Sequence, residues 1–187
     1  MIYYFFLVTA KDAAVAMAEY VAGSEDKFIQ LMNKRAKELG AKNTNFANVH
    51  GLDNDNHYSC PYDMALFAQE LLKHDSILKY TSTYEDYLKK NDGSSIWMVN
   101  TNKLIRYYSG LDGLKTGFTK NAGYCLTATA KRNDMRLISV VMGSETSETR
   151  SQETIELLDY GFNNYKLKTI FKNTIDLGKI KVNYGKN

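Results

Sequence analysis

Apolar residues recur at helical spacing through most of the first eighty residues of the chain. The spacing predicts four helices, over residues 10–22, over residues 25–39, from about Pro61 to Leu72, and over residues 76–81. Gly23 and Gly40 follow the first two and are typical helix ends, and proline suits a first helical turn. Residues 43–58 are polar and rich in turn formers, which predicts an irregular connection.

The second half of the chain changes to short apolar runs that are typical of buried strands. Leu126–Ala130 and Leu137–Met142 are two such runs, and the polar residues 131–134 between them predict a hairpin turn. Lys115–Thr119 is predicted to be the strand before this hairpin. Weaker patterns indicate strands at 84–88 and 95–99, a final helix at 149–165 and a strand-like tail at 166–187. The pattern therefore predicts an α/β fold, with an antiparallel sheet, a helical lobe over residues 1–80 and a packed C-terminal helix.

Composition and charge exclude several classes of function. The 187 residues are 44% hydrophobic, and the net charge of +3 is interspersed, so nothing indicates binding to nucleic acid. Two cysteines do not make a disulfide framework, and the three histidines lack the spacing of zinc ligands. We therefore expect neither a metal nor another cofactor.

The chemistry suggested by the residues is concentrated at Lys115-Thr116-Gly117. On a strand, Lys115 and Gly117 point to one face and Thr116 to the other. A lysine, a hydroxyl and a glycine that admits close approach can cradle a carboxylate, although a strand edge with a solvated lysine gives the same pattern. K-T-G is also one of three elements, with S-x-x-K and S-D-N, of the serine penicillin-binding proteins and class A β-lactamases.

Several further sequence blocks occur in the same order as in one protein family. Together with D-G-L-K-T-G at 112–117, they make the chain resemble the low-molecular-weight penicillin-binding proteins. These are serine D-alanyl-D-alanine carboxypeptidases of bacterial cell-wall metabolism. The blocks that carry the resemblance are H-G-L-D at 50–53, Y-D-M-A at 62–65, N-T-N at 100–102, A-G-Y at 122–124, A-T-A at 128–130, L-I-S-V-V-M-G at 137–143 and L-L-D-Y-G at 157–161.

The resemblance implies a β-lactamase/penicillin-binding-protein-like fold, present here as a partial domain over residues 1–165. Residues 166–187 would begin a truncated C-terminal β domain. It also implies an extracytoplasmic enzyme of the cell envelope that removes the terminal D-alanine from peptidoglycan stem peptides and is inhibited by β-lactams. Any membrane contact would be made by parts outside these residues.

In this family the serine of S-x-x-K attacks the penultimate D-alanine carbonyl, and water then cleaves the acyl-enzyme. By resemblance, Lys115 supplies positive charge to the site and Thr116 hydrogen-bonds the substrate carboxylate beside Gly117. The backbone N–H of Phe118 is an oxyanion donor. By resemblance, Arg150 matches an arginine that assists carboxylate binding in relatives. The alternative interpretation is that Arg150 is a solvated arginine on the surface of a helix.

The chain differs from the family at the position of the S-x-N element, where it has Thr9-Ala10-Lys11. Thr9 keeps the hydroxyl of the serine, but Lys11 replaces the amide of the asparagine by a cation. If Lys11 faces the cleft, it could take part in proton transfer; if it faces outward, Thr9 alone holds the position. No S-x-x-K precedes Thr9, and the sequence opens on an apolar run, so we expect the nucleophile segment to lie upstream and the chain alone to be inactive.

Two S-x-x-K strings occur later, at Ser24 and Ser76, where each serine has the setting of a helix N-cap rather than of a nucleophile. The leading hypothesis is a serine carboxypeptidase without its N-terminal part. The alternatives are a non-catalytic relative that binds peptidoglycan peptides and, more weakly, a class A β-lactamase, for which the deacylating Glu-x-x-Leu-Asn element is not found.

Overall fold

The computed structural model describes residue 7, residues 10–168 and residue 170. The described helices are α1 (Lys11–Ala22), α2 (Glu25–Glu38), α3 (Pro61–Leu71), α4 (Leu78–Thr81), α5 (Leu104–Tyr107) and α6 (Ser147–Asn164), with a 3₁₀ turn at Asp75–Ile77 before α4. The strands are β1 (Glu85–Lys89), β2 (Ser95–Val99), β3 (Leu111–Thr119), β4 (Gly123–Arg132) and β5 (Met135–Ser144). The α/β prediction is confirmed, and α5 is a helix that the sequence pattern did not predict. The strand predicted for the tail lies mostly outside the described residues.

Small side chains form the buried face of the first helix. Ala13, Ala14 and Ala18 of α1 are buried, and α1 ends at Gly23, whose φ of 80° is left-handed. Ser24 caps α2, because its hydroxyl accepts a hydrogen bond from the Lys27 amide at 3.3 Å. The N-cap predicted for Ser24 is therefore confirmed.

The irregular segment before α3 is fixed by a buried carboxylate. Asp63 is 1% exposed, and its Oδ2 accepts hydrogen bonds from the Asn43 amide at 2.7 Å and the Thr44 hydroxyl at 2.8 Å. These bonds hold the pKa of Asp63 below its usual value against the opposing effect of burial. The loop is thereby attached to the first turn of α3.

The main sheet has the order β3-β4-β5, with both pairs antiparallel. A side-chain network crosses all three strands on one face: the Arg136 guanidinium of β5 donates to both carboxylate oxygens of Asp112 in β3 at 2.8 Å and to the Thr129 hydroxyl of β4 at 2.8 Å. Since β4 is central, β3 is an edge strand, and the K-T-G residues lie on that edge.

The C-terminal helix covers the sheet. The core combines residues of α5, β3, β4 and α6, and Leu158 of α6 is 1% exposed. Ile155 and Phe162 pack against the same core, so the inner face predicted for this helix is confirmed. The packing fixes α6, and with it Arg150, against the sheet. None of the helices in the described part of the chain is both long and apolar enough to cross a membrane.

Buried amide and hydroxyl groups hold the beginning of β3. Thr81 Oγ1 donates to the Asp112 carbonyl at 2.8 Å, and Asn102 Nδ2 donates to the Gly113 carbonyl at 3.4 Å. Asn100 Nδ2 in turn donates to the carbonyls of Thr81 and, at 3.0 Å, Thr83. A Cβ at Gly113 would lie 2.8 Å from Thr81 Oγ1, so a side chain there would displace this clamp.

Candidate active site

The K-T-G segment of β3 borders an apolar cavity of about 250 Å³ between α3 and the sheet. Four consecutive strand residues, 114–117, form one wall. The remaining wall residues are Met64, Phe67, Ala68 and Leu71 of α3, and Cys125, Thr127, Val141 and Met142 of β4 and β5. Lys115 carries the only amine among these lining residues. Because most of its neighbours in the lining are apolar, its charge is screened less than that of a surface lysine.

Burial changes the acid–base behaviour of Lys115. Its Nζ donates to the carbonyl of Thr116 at 2.9 Å. Desolvation by burial, with a smaller contribution from the positive charge of Arg150, lowers the pKa of Lys115 to about 8. At neutral pH the ammonium form therefore predominates, yet the side chain gives up its proton far more readily than a surface lysine does.

Thr116 lies between two cavities, with only 9% of its surface exposed. Its hydroxyl oxygen is 2.5 Å from the hydroxyl oxygen of Thr101, in the segment that follows β2. This hydrogen bond orients the Thr116 hydroxyl. Sequence reasoning did not single out Thr101, although it did mark the block that contains it, Asn100-Thr101-Asn102.

A second, larger cavity of about 700 Å³ lies on the other side of Thr116 and Gly117. Phe118 borders it, and the Phe118 ring packs against Tyr124 with 4.3 Å between centroids. The remaining lining comes from the segment after β2, from α5 and from the first turn of α6: Thr101, Lys103, Leu104, Tyr107, Ser147, Glu148, Arg150 and Ser151. This lining combines hydroxyl groups, the cations of Lys103 and Arg150 and the carboxylate of Glu148 with apolar and aromatic side chains, so the second cavity is more polar than the first.

Arg150 supplies this second cavity with a buried cation. The residue is 6% exposed and is therefore not a solvated arginine. Its Nη2 is 3.5 Å from the Ser151 hydroxyl, and its Nε has no hydrogen-bond partner among the described residues. Burial lowers the pKa of Arg150, which means that the folded protein holds this charge at a cost. An anion bound in the cavity would offset that cost.

The structure brings together five of the seven residues that we selected from the sequence: Lys115, Thr116, Gly117, Phe118 and Arg150. Lys11 is exposed at the first position of α1 and is not among the lining residues of either cavity. Thr9 lies outside the described residues. The catalytic roles of these residues stay predictions.

Neither serine of the later S-x-x-K strings lines these cavities. Ser24 caps α2, whereas Ser76 lies inside the 3₁₀ turn before α4 and caps neither that turn nor α4, so the N-cap predicted for Ser76 is wrong. Among the described residues there is no group of three or more His, Cys, Asp or Glu side chains close enough to hold a metal ion. The groups that line the two cavities include hydroxyls, a lysine ammonium and a buried guanidinium, which can bind an anion.

Comparisons with known proteins identify the family of the chain. The family model described as D-alanyl-D-alanine carboxypeptidase matches residues 1–146. The chain is 50% identical over 180 residues to D-alanyl-D-alanine carboxypeptidase DacF of Bacillus subtilis, which covers 96% of the chain and 46% of the relative. It is 45% identical over 157 residues to DacA of Escherichia coli, covering 83% of the chain and 38% of the relative. The chain thus spans about half the length, or less, of these curated relatives.

Solved structures give the same result. Penicillin-binding protein D2 of Listeria monocytogenes, in its cefotaxime-bound form, superposes with a TM-score of 0.76 at 35% identity, covering 86% of this chain and 64% of that one. Penicillin-binding protein 6B of Escherichia coli gives a TM-score of 0.83 at 34% identity, covering 92% and 54%. The fold predicted from the K-T-G resemblance is confirmed by these neighbours.

Proposed function

This chain belongs to the D-alanyl-D-alanine carboxypeptidase family, and we propose that it provides the substrate-binding half of a serine-type carboxypeptidase. The substrate is a peptidoglycan stem peptide that ends in D-Ala-D-Ala, and β-lactams compete for the same site. The enzyme acts outside the cytoplasm, in the cell envelope. The nucleophilic serine and its lysine would be those of an S-x-x-K element, which does not precede Thr9 in these 187 residues.

One observation carries this proposal: Thr116 and Arg150 line the second cavity together, and Lys115, the neighbour of Thr116 on β3, lines the first cavity on the other side of Thr116. A carboxylate in this cavity receives hydrogen bonds from a hydroxyl and from a charged donor, which are stronger than bonds between neutral groups. Because both donors are largely buried, water competes weakly for them. The terminal carboxylate of a D-alanine is an anion of this size.

The remaining roles follow from where the carboxylate is held. With the terminal carboxylate at Thr116 and Arg150, the scissile carbonyl lies further along β3, where the Phe118 N–H donates to the oxyanion. Lys115, with its pKa near 8, stabilises the negative charge that develops during acylation and can exchange a proton at neutral pH. Gly117 leaves space for the substrate backbone between these groups.

The proposal predicts carboxylate-dependent binding without covalent chemistry for a polypeptide of these 187 residues. An acetylated D-Ala-D-Ala peptide should shift the amide NMR signals of Thr116 and Gly117 with a dissociation constant of about a millimolar, since only part of the site is present. The same peptide with its C-terminus amidated should leave those signals unchanged. Equal binding of the acid and the amide would contradict the proposed carboxylate site.

The same polypeptide should form no adduct with a labelled penicillin when its intact mass is measured. Ser24 and Ser76 do not line either cavity, and no other serine has a lysine three residues later. Without that pair, the double-displacement route lacks its first step. A stoichiometric acyl adduct would show that one of these serines is a nucleophile after all.

Lys11 provides a separate prediction. We propose that the exposed Lys11 impairs proton transfer, because an ammonium only donates hydrogen bonds while the family's asparagine amide both donates and accepts. In a chimera that adds the S-x-x-K segment of the Bacillus subtilis relative to this chain, Lys11→Asn should raise the acylation rate. Lys11→Met, which removes the ammonium group without adding an amide, is the control and should not raise the rate. A tenfold fall in rate for both variants would show instead that the lysine itself acts in the site.

A further inference from the structure

The hairpin of β1 and β2 has two faces of different character. Its inner face carries Met98, which is 2% exposed. On the outer face Tyr87 and Trp97 lie directly opposite each other in the antiparallel register, so their side chains emerge side by side. They are 62% and 59% exposed. The outer face of a two-stranded hairpin is expected to be polar, so an aromatic pair there requires an explanation.

The indole of Trp97 is held in place by a hydrogen bond on the same face. Its Nε1 donates to Glu85 Oε2 at 3.1 Å, and Glu85 is the diagonal neighbour of Trp97 across the strands. The bond restricts rotation of the ring, so the aromatic surface is presented at a lower entropy cost than that of an unrestrained side chain. The result is a small aromatic surface bordered by a carboxylate, which accepts hydrogen bonds from hydroxyl groups.

We propose that Tyr87 and Trp97 form a binding subsite for a sugar ring of the glycan strand that carries the stem peptide. This inference rests on the proposed function. The apolar C–H face of a pyranose ring packs on a flat aromatic side chain, while the hydroxyl groups at its edge hydrogen-bond polar neighbours such as Glu85. A pair of exposed rings with an adjacent acceptor matches that combination of apolar and polar surface.

The position of the aromatic pair agrees with the reach of a stem peptide. Trp97 and Thr101 are four residues apart, so their Cα atoms are separated by at most about 14 Å. The Thr101 hydroxyl is 2.5 Å from that of Thr116, where the terminal carboxylate binds. Four or five peptide residues span about 13–18 Å when extended. A stem peptide is therefore long enough to reach from the carboxylate site to the aromatic pair.

The charges of the hairpin favour a glycan over an anionic membrane. Between Glu85 and Val99 there are two lysines and three acidic residues, so the surface around the rings has no excess of positive charge. Binding of an amphipathic surface to anionic lipid relies on such an excess. A neutral amino-sugar chain makes no such demand.

Intrinsic fluorescence tests the proposal directly, because Trp97 is the single tryptophan of the chain. A tetramer of N-acetylglucosamine, titrated into the chain, should change the Trp97 emission and saturate with a dissociation constant of about a millimolar. Tyr87→Ala should weaken this binding about fivefold or more, because one stacking partner is lost. The matched control is Tyr20→Ala, which removes an exposed tyrosine from α1 and should leave the binding unchanged.

Trp97→Ala has no tryptophan emission to follow, so saturation-transfer NMR on the sugar is the readout for that variant and should detect no binding. An unchanged Trp97 emission up to the solubility limit of the tetramer would overturn the proposal. So would a response to vesicles containing phosphatidylglycerol with none to the sugar, since that result identifies a membrane contact. Lys115→Met leaves the hairpin intact and should retain sugar binding, so failure of the carboxylate site is distinguishable from failure of the sugar subsite.

Discussion

Replacing Lys115 by methionine is expected to slow acylation by a penicillin about a hundredfold or more, the effect of removing one preorganised donor from an oxyanion-type site. The measurement is the acylation rate of the chimera that contains the S-x-x-K segment. Methionine keeps most of the apolar stem that lines the cavity between α3 and β3, so the variant removes the ammonium group with little change in packing. A melting temperature that drops while the acylation rate is unchanged would assign Lys115 a structural role instead.

The pH dependence of the same reaction distinguishes two ways in which Lys115 could act. With a pKa of about 8, the ammonium form is lost as the pH rises through 8, so a charge-stabilising role predicts a falling acylation rate there. A rate that rises through this range would indicate that the neutral amine acts as a base. The methionine variant is the control and should show neither trend.

The lowered pKa also links Lys115 to stability. In the unfolded chain the lysine has its ordinary pKa of 10.5, so between about 8 and 10.5 the unfolded state binds more protons than the folded state. Lys115 should therefore make the free energy of unfolding increase as the pH rises across this window. Denaturant unfolding of Lys115→Met should lack that contribution.

Replacing Arg150 by methionine is expected to weaken binding of the acetylated D-Ala-D-Ala peptide about tenfold to a hundredfold, while the melting temperature stays the same or rises. Charge-assisted hydrogen bonds to a carboxylate contribute about 1.5–3 kcal/mol, which sets the size of the loss. The fold should tolerate the change, because apolar residues of similar volume often replace buried charges without loss of stability. The lack of a described partner for Nε strengthens this expectation for Arg150.

Peptide titration by NMR and thermal unfolding of the same samples together test this prediction. Arg150→Lys is the informative companion, because lysine keeps the charge but loses the planar set of donors, and it should give an intermediate affinity. A large fall in melting temperature for Arg150→Met would show that the guanidinium mainly supports the packing of α6, contrary to the proposed carboxylate role.

Sequence periodicity predicted most of the fold because each long element has an uninterrupted pattern. The alanine face of α1, the inner face of α6 and the two apolar strands of the hairpin are regular over two or more turns or pleats. The short helix α5 was missed, since its four residues are too few for a period to be recognised. β3 starts four residues earlier than predicted, because Leu111–Leu114 contains Asp112 and Gly113, which are both unfavourable in strands.

The part of the candidate site that is made of consecutive residues could be predicted from the sequence. The part that the fold assembles from residues far apart in the sequence could not. Lys115-Thr116-Gly117 was visible as a motif, and Arg150 was suggested only by resemblance. The burial of Arg150 and the lowered pKa of Lys115 depend on how α6 packs on the sheet, which no local pattern encodes. The same holds for the hydrogen bond between Thr101 and Thr116, which joins residues on separate elements.

A short turn joins β5 to α6, the helix that lines one side of the second cavity. Gly143 has a left-handed φ of 82°, and the Ser144 hydroxyl donates to Glu153 Oε2 at 2.6 Å, which fixes the first turns of α6 against the end of β5. Arg150 is on α6, whereas Thr116 and Gly117 are on β3. In evolution, a one-residue insertion or deletion in this turn would therefore move Arg150 relative to Thr116 and change the preferred length of the ligand, without altering a single lining residue.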